Sequence, residues 1–548
     1  MTSRIIRLLL FLAALLSLAF FLPTLSHTPP QQLNISAAQP ARELPAPTVV
    51  PFAQTLSAAN GWKALAPGIE YREWILPDPN RVYVARFDRF SPANTFIDSI
   101  LNNGALRREF QTIRQSAALY EEAINAWPLP ESPSGNRTQV VVAINGSFVQ
   151  KDGLPENGQI QGGWLIKPYQ TAWLGGSGSG FVWGLNRQAF IGLCTDAQPR
   201  EQVIEFPGLG LSFPLTHINS PTPGEADVAL YTAQYETRTP AGSRSEVLVS
   251  LDAPLAPNPR GYVIGTVTDV HPYRSGTVIP FDQIVLSFNA PTWKEHLENR
   301  LKPGEGLFIR LALHDVGPDC KTQGQLSWQN LYAGIGGAQV FLRAGNFYPY
   351  EATGAVKRHP RTAIALNNQY IYFVVVDGRR DDFSVGMTLE ELSNFLVSEL
   401  KATWAVNQDG GGSSTMIVNG QLMNNPSDAC PKGTPVTYFR DTTIPMGCER
   451  PVVNGLIMAY AAPRQNSPNQ LSAGQNLKTI GDTSLRVGPG DNYAEFFSIP
   501  AKQTVTIVAH PLNGVLARQT YWWKVRAIKN DGSSVEGWLP EYTLQLSH

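Results

Sequence analysis

A short apolar run, Trp404-Ala405-Val406, empties directly into Asn407-Gln408-Asp409-Gly410-Gly411-Gly412-Ser413-Ser414-Thr415-Met416, and no other stretch of this chain limits its fold so tightly. The run is read as a strand that delivers an acid into a bend made of glycine alone. Three successive glycines leave backbone amides uncovered and open φ values that other residues avoid, so another group can come close to the main chain. Two serines and a threonine then add hydrogen-bond donors. An Asp-Gly pair by itself marks a tight turn with the acid as cap. Joined to the triple glycine and the hydroxyls, it predicts a site for a small polar or anionic ligand instead.

The segment before this bend predicts how it is held. Ile371-Tyr372-Phe373-Val374-Val375-Val376 is apolar throughout and β-branched, as a strand buried on both faces must be, and it runs into Asp377-Gly378-Arg379. Thr388 and Glu391 make a capping box, and Leu389, Leu392, Phe395, Leu396 and Leu400 form one apolar stripe, so a helix follows. Strand, helix and strand over 371–409 read as a βαβ unit with parallel strands. Their C-terminal ends then lie on one sheet edge, and Asp377 and Asp409 line one crevice. Neighbouring strands sit about 4.8 Å apart and next-nearest ones about 10 Å. That interval brackets the separations, about 5 to 9.5 Å, used by paired carboxylates in glycoside hydrolysis. Arg361 opens Arg361-Thr362-Ala363-Ile364-Ala365-Leu366, the expected partner strand.

Elsewhere Val82–Asp88 alternates as a strand. Residues 110–127 carry apolar side chains at helical spacing up to Pro128, and Val140–Ile144 reads as a buried strand ending in Asn145-Gly146-Ser147-Phe148. Asn145 opens a glycosylation sequon, but its place at a strand end favours a structural or site role. From about 160 to 350 short strands alternate with Gly/Pro turns; Gly175–Gly180 predicts a surface hairpin and Gly334-Ile335-Gly336-Gly337 a glycine-dense turn. The expected class is α+β: a mixed β-sheet domain with a few flanking helices, followed by a small all-β barrel.

At 548 residues the chain exceeds what one core supports. Arg4 and Arg7 precede an uncharged apolar run, so 1–26 is a signal peptide or a membrane anchor, and the rest lies outside the cytoplasm, secreted or at the cell surface. A Pro- and Ala-rich linker covers 27–60, the main domain 61–461, a second linker 462–476, and a final unit 477–548. Charged residues make up only 16%, with 43 basic against 44 acidic side chains and no basic block, which argues against nucleic acid as a partner. Four cysteines in an exported chain suggest disulfides: Cys430–Cys448 closes one loop, leaving Cys194–Cys320 by elimination. No zinc spacing and no Gly-x-Ser-x-Gly elbow occurs.

Leu485-Arg486-Val487-Gly488-Pro489-Gly490, Trp523-Lys524-Val525 and Gly537-Trp538-Leu539 resemble a bacterial SH3 domain. The resemblance implies attachment to cell-wall peptide or glycan, with Tyr521, Trp522 and Trp538 as stacking residues, at least one of them core. Residues 61–461 resemble the phosphodiester glycosidase family, of the N-acetylglucosamine-1-phosphodiester alpha-N-acetylglucosaminidase kind. The resemblance rests on Asn145–Phe148, Gly336-Gly337, Arg361–Ile364, Asp377-Gly378-Arg379, Gly386-Met387-Thr388, Asn407–Met416, Asn424–Asp428 and Glu449–Asn454. Gln408, Ala338 and Ala365 depart from the family pattern, and a cysteine-bracketed insertion separates Asp428 from Arg450. It implies hydrolysis of a sugar-1-phosphodiester or glycopolymer at the anomeric carbon, without a cofactor. Asp377 or Asp409 serves as base or nucleophile, and Arg361 and Arg379 hold the phosphate. Asn145, Asn407, Gly410, Gly411, Gly412, Ser413, Ser414 and Arg450 surround the substrate. For the arginines, ion pairs with Asp377, Asp409 or Asp428 compete with substrate contact. Two rival readings are a non-catalytic wall- or polysaccharide-binding protein and a hydrolase using a divalent cation on Asp377, Asp409 and Asp428.

Overall fold

The computed structural model describes residues 61–91, 94–106, 110–125, 137–150, 153–156, 158–167, 179–193, 202–256, 261–311, 323, 331–338, 340–349 and 354–546. The expected signal or anchor, the first linker and the Cys194–Cys320 pair lie outside the described residues. Among the described residues no helix is long and apolar enough to cross a membrane.

Two sheets packed face to face carry the Asp409 bend. The larger has eight strands in the order Lys63–Ala66, Ile69–Leu76, Asn80–Asp88, Tyr370–Val376, Arg361–Leu366, Trp404–Asn407, Val340–Arg343, Asn346–Phe347. The smaller runs Gln421–Leu422, Met416–Val418, Arg137–Asn145, Asn454–Ala462, Thr95–Leu101. Alternation decides which side chains fill the space between them. Phe373, Val375, Ile364, Trp404 and Val406 meet Val142, Ile144, Leu456 and Met458 in one core. The opposite face of the large sheet, Ala363, Ala365, Val374 and Ala405, lies under the Leu389–Leu400 helix. Thr388 caps that helix as expected: its hydroxyl accepts from the Glu391 amide at 3.0 Å, and the Glu391 carboxylate accepts from the Thr388 amide at 2.9 Å. Leu389, Leu392, Phe395, Leu396 and Leu400 are its buried stripe, each contributing roughly 1.5–3 kcal/mol of transfer energy.

The strand–helix–strand unit differs from expectation in one respect. Tyr370–Val376 and Trp404–Asn407 are not neighbours, because Arg361–Leu366 lies between them and pairs antiparallel with both. The two outer strands are therefore parallel to each other at next-nearest spacing, and they do end on the same edge: Val376 stands opposite Arg361, and Asn407 opposite Ala363. The fold is mostly β, with few helices.

Other segments were less legible. Residues between Val203 and Arg310 close into a seven-stranded barrel around Ile204, Leu215, Val249, Leu286 and Ile309. Gly334, Ile335 and Gly336 lie inside the Leu331–Gly336 strand rather than in a turn; a Cβ on the facing Gly180 would stand 2.9 Å from the Ile335 carbonyl, so small residues permit the close strand approach. The helix expected over 110–127 is shorter, Ile113–Tyr120, capped by Thr112 and Gln115. Residues 477–545 form a further set of short antiparallel strands where the C-terminal unit was expected.

Replacing Thr388 by Ala removes one half of the capping box and is expected to lower stability by about 1 kcal/mol, read as a shift of the urea midpoint at unchanged m-value.

Candidate functional site

The bend after Trp404–Asn407 is held mainly by backbone contacts. The Gln408 amide donates to the Thr362 carbonyl at 2.9 Å, Asp409 to Gly146 at 2.9 Å and Gly411 to Pro360 at 3.0 Å. Ser413 and Ser414 close a 3-10 turn on Gly410 and Gly411. Most amides of the bend are thus engaged within the chain, and the glycines do not supply an open nest. They supply closeness. A Cβ on Gly410 would lie 2.8 Å from the Pro360 carbonyl oxygen. On Gly411, where φ is +64°, it would lie 2.8 Å from a guanidinium nitrogen of Arg379, and on Gly412 1.9 Å from Asp428 Oδ1 and 2.4 Å from Arg450. Two cationic side chains and an acid therefore rest directly on the bare backbone.

Above this loop the groups differ in how far they are committed. Arg450 grips Asp428 bidentately, with Nε to Oδ2 at 2.7 Å and a terminal nitrogen to Oδ1 at 2.9 Å. Cys448 and Cys430, joined by a disulfide, hold both ends of the insertion here, and the Cys448 amide donates to the Asp428 carbonyl. Arg379 is exposed, adopts a left-handed φ of +63°, and has only a long 3.5 Å contact to the Ser427 hydroxyl. Among the described residues it forms no ion pair, so its charge is available.

Asp409 is half-buried. Burial pushes its carboxyl above the ordinary value; the Ser413 hydroxyl, the Arg450 charge and the Gly410 amide oppose this, while Asp428 adds to it. A second carboxylate stands within electrostatic reach. The chain after Phe148 turns back so that the Glu156 amide donates to the Phe148 carbonyl at 2.8 Å, beside the segment whose Gly146 carbonyl holds Asp409. Burial raises the Glu156 carboxyl, Lys167 lowers it, and the charge of Asp409 raises it again. His359 completes the rim. Burial and the charges of Arg361, Arg379 and Lys357 depress its pKa, and its Nδ1 is buried without a partner. Glu156 and His359 escaped the sequence reading, because neither sits in a motif and only the tertiary fold brings them to this loop.

Several expected site residues prove to be supports. Asp377 is 2% exposed. Its Oδ2 accepts from the Tyr83 hydroxyl at 2.8 Å, its Oδ1 from the Asn424 side-chain amide at 3.0 Å, and both oxygens from the Asn425 backbone amide. Burial lifts its pKa to about 6 against these bonds. Asp377 therefore cannot be the second carboxylate at a sugar carbon, nor join Asp409 and Asp428 around a cation, since its oxygens are turned to internal donors and those of Asp428 to Arg450. Among the described residues no cluster of three His, Cys, Asp or Glu is arranged to hold a metal.

Arg361 is also sunk. On the helix side of the sheet it donates to the carbonyls of Met387, Gly354 and Lys357 at 2.6–2.7 Å, and burial, aided by Arg379, lowers its pKa to about 10. It is a brace that stays charged at neutral pH, not a catalytic group. Asn145 is fully buried. It donates to the Asp409 carbonyl at 2.7 Å and accepts from the Thr362 hydroxyl at 2.7 Å and the Thr415 amide at 3.1 Å. That geometry excludes both a sugar attachment and direct substrate contact. Asn407 and Ser414 are likewise buried beneath the loop. Gln408 is 0% exposed, and neither of its side-chain polar atoms has a partner. In the C-terminal unit Trp522 and Trp538 are 0% and 1% exposed, so neither offers a face to a wall ligand; Tyr521 is half-buried.

What the structure brings together is thus Asp409, Ser413, Arg379, Arg450 with Asp428, Glu156 and His359 around Gly410–Gly412. Residues 263–458 match the family model described as phosphodiester glycosidase. The matched span contains Arg379, the Asp409 loop and Arg450; it begins inside the barrel and leaves out Asn145 and Glu156, so it is shorter than the 61–461 expected. Among solved structures, the chain is similar to a hypothetical protein from Synechocystis (16% identity, 73% of this chain and 62% of that one, TM-score 0.45). It is also similar to a candidate exported protein from Burkholderia pseudomallei (18% identity, 69% and 74%, TM-score 0.42). A third is the catalytic domain of zebrafish N-acetylglucosamine-1-phosphodiester alpha-N-acetylglucosaminidase, auto-inhibited by its pro-peptide (14% identity, 72% and 84%, TM-score 0.33). The chain spans 62% of the length of the Synechocystis protein. No curated protein matches.

Asp377→Ala strands the Tyr83 hydroxyl and two Asn donors in the interior and is expected to cost about 3 kcal/mol or more in denaturant unfolding. The folded carboxyl, at about 6 against an ordinary 3.8, holds its proton across a pH window in which the unfolded one has lost it. The Asp377 contribution to stability therefore falls as pH rises through that window, from about 4 to about 6, and Asp377→Asn flattens this slope in unfolding curves recorded across it. Gln408→Met replaces an unpartnered buried amide by an apolar side chain of similar length, and should raise the unfolding free energy in denaturant titration by about 1–2 kcal/mol.

Proposed function

We propose that the chain hydrolyses a sugar-1-phosphodiester, N-acetylglucosamine-1-phosphodiester-like, in a glycopolymer at the cell surface or outside the cell. The observation that carries this reading is the pairing of a half-buried acid, Asp409, with an uncommitted guanidinium, Arg379, across one glycine loop. The match of 263–458 to the phosphodiester glycosidase family model supports it.

The substrate phosphate carries a negative charge that Arg379 meets with paired N–H donors, and Arg361 adds positive potential at longer range. Arg450 stays on Asp428, so its role is orientation. The scissile bond joins the anomeric carbon to a phosphate oxygen. It breaks with its electron pair leaving on the phosphate monoester, a weak base that needs little protonation. Water supplies the new hydroxyl on the sugar carbon, and its proton passes to a carboxylate. Asp409 and Glu156 are the pair for this work. Both carboxyls are raised by burial, and the charge of Asp409 raises Glu156 further, the direction that suits groups exchanging protons in the reaction. Ser413, donating to Asp409, fixes its orientation.

Purified protein incubated with N-acetylglucosamine-1-phosphodiesters should release free sugar and phosphate monoester. Asp409→Asn is expected to lower kcat by roughly 10²–10⁴ with little change in KM, and Arg379→Ala to act mainly on KM through the lost phosphate contact. Full turnover by Asp409→Asn, or saturable glycopolymer binding without phosphate monoester release, would replace this reading by that of a non-catalytic binding protein.

A further inference from the structure

The aromatic face of the C-terminal unit has a partner within the same chain. The unit has its own small core of Leu485, Val505, Ile507, Trp523, Val525 and Leu539. A second cluster unites Leu512, Val515, Ala517, Trp522 and Trp538 with two side chains from elsewhere, Ile124 and Phe281. Phe281, at the lip of the barrel, lies edge-on to Trp538 at 5.8 Å and against Tyr493 at 5.4 Å. Its amide donates to the Val487 carbonyl at 3.0 Å. Next to it Asp282 meets His510 Nε2 at 3.0 Å, with both side chains almost wholly buried. The Tyr493 hydroxyl donates to the Ile124 carbonyl at 2.6 Å, and Asn492 to Asn125 at 3.1 Å.

The tip of one hairpin carries a further, independent sign. Ala517 pairs with Thr520, leaving Arg518 and Gln519 as a two-residue turn with φ of +47° and +68°. Asn and Gly suit that turn; two consecutive long side chains in the left-handed region do not. The strained turn directs Arg518 to the C-terminal end of the Ile113–Tyr120 helix. There its guanidinium donates to the carbonyls of Ala118, Leu119 and Glu121, and its amide donates to Glu122 at 2.9 Å. A helix end leaves its last carbonyls without intrahelical donors and carries partial negative charge, so a cation there satisfies both needs. Strained backbone persists where the surroundings hold it for a purpose.

We infer that the C-terminal unit is an intramolecular brace whose ligand is the chain itself: its Trp538–Tyr493 face takes Phe281 of the barrel, and Arg518 caps the helix of the two-sheet body. One unit thereby ties barrel and body together. Trp522 and Trp538, two of the three residues expected to bind wall glycan, are spent on this contact.

Hydrogen exchange of the full chain tests the brace. Arg518→Gly removes the cap and relaxes the turn, so the C-terminal unit keeps its fold. Amides of 113–125 should then exchange roughly tenfold faster, while those of 520–528 keep their rates. Phe281→Ala should speed exchange in both places without abolishing either core. Unchanged exchange at 113–125 in Arg518→Gly overturns the inference. So does saturable protection of 518–525 when a wall glycan or peptide fragment is added to the unaltered chain.

Discussion

The carboxamide of Asn145 joins three chain segments that are distant in sequence, and the candidate site depends on that junction. It sits at the end of a strand in the smaller sheet, accepts from Thr362 in the larger one, and receives and gives hydrogen bonds on the Asp409–Thr415 loop. Because the side chain is fully buried, each bond replaces water that cannot return, and loss of any partner leaves a polar atom stranded. The loop position is therefore set by the packing of two sheets, not by the loop's own turn preference. Asn454, on the neighbouring strand of the same sheet, repeats the device, accepting from the amide and hydroxyl of Ser147 and donating to Gln159.

Below the glycine bend lies a layer of polar groups turned inward, most bonded internally and some, Gln408 among them, left without a partner, and above it a layer left free or half free. Asp377, Arg361, Asn424 and Asn425 belong to the lower layer; their bonds run to backbone, to the Tyr83 hydroxyl and to one another. Asp409, Glu156, Arg379 and His359 belong to the upper. Glycine separates the two because any side chain at 410, 411 or 412 would collide with a carbonyl, a guanidinium or a carboxylate. The spacing of charges across so thin a partition lets buried Arg361 contribute potential without touching a ligand.

Burial governs the chemistry of these acids more than pairing does. In Asp377, Asp409, Glu156 and Asp98 the largest influence is desolvation, which favours the neutral form. In Asp98 and Asp377 that tension is confined to the interior, where hydrogen bonds from tyrosine and backbone amides answer it. In Asp409 and Glu156 it occurs at the rim, where a proton has somewhere to go.

Local rules read from the chain alone established the capped helix at 389–400, the strands around it, the edge that their ends share and the Cys430–Cys448 link. These are matters of period, cap and turn chemistry, which act over a few residues. The sequence could not say that Arg361–Leu366 would insert between two strands expected to be neighbours, since strand order is chosen by long-range pairing. Nor could it tell which acid is sealed and which exposed. Asp377 and Asp409 end parallel strands in the same way, yet only the first is roofed by Tyr83 and the Asn424–Asn425 segment. Glu156 carries no local signature, and the two tryptophans were misjudged because their partner, Phe281, lies more than two hundred residues away. Exposure is a property of everything packed around a side chain, so tertiary structure alone decided it.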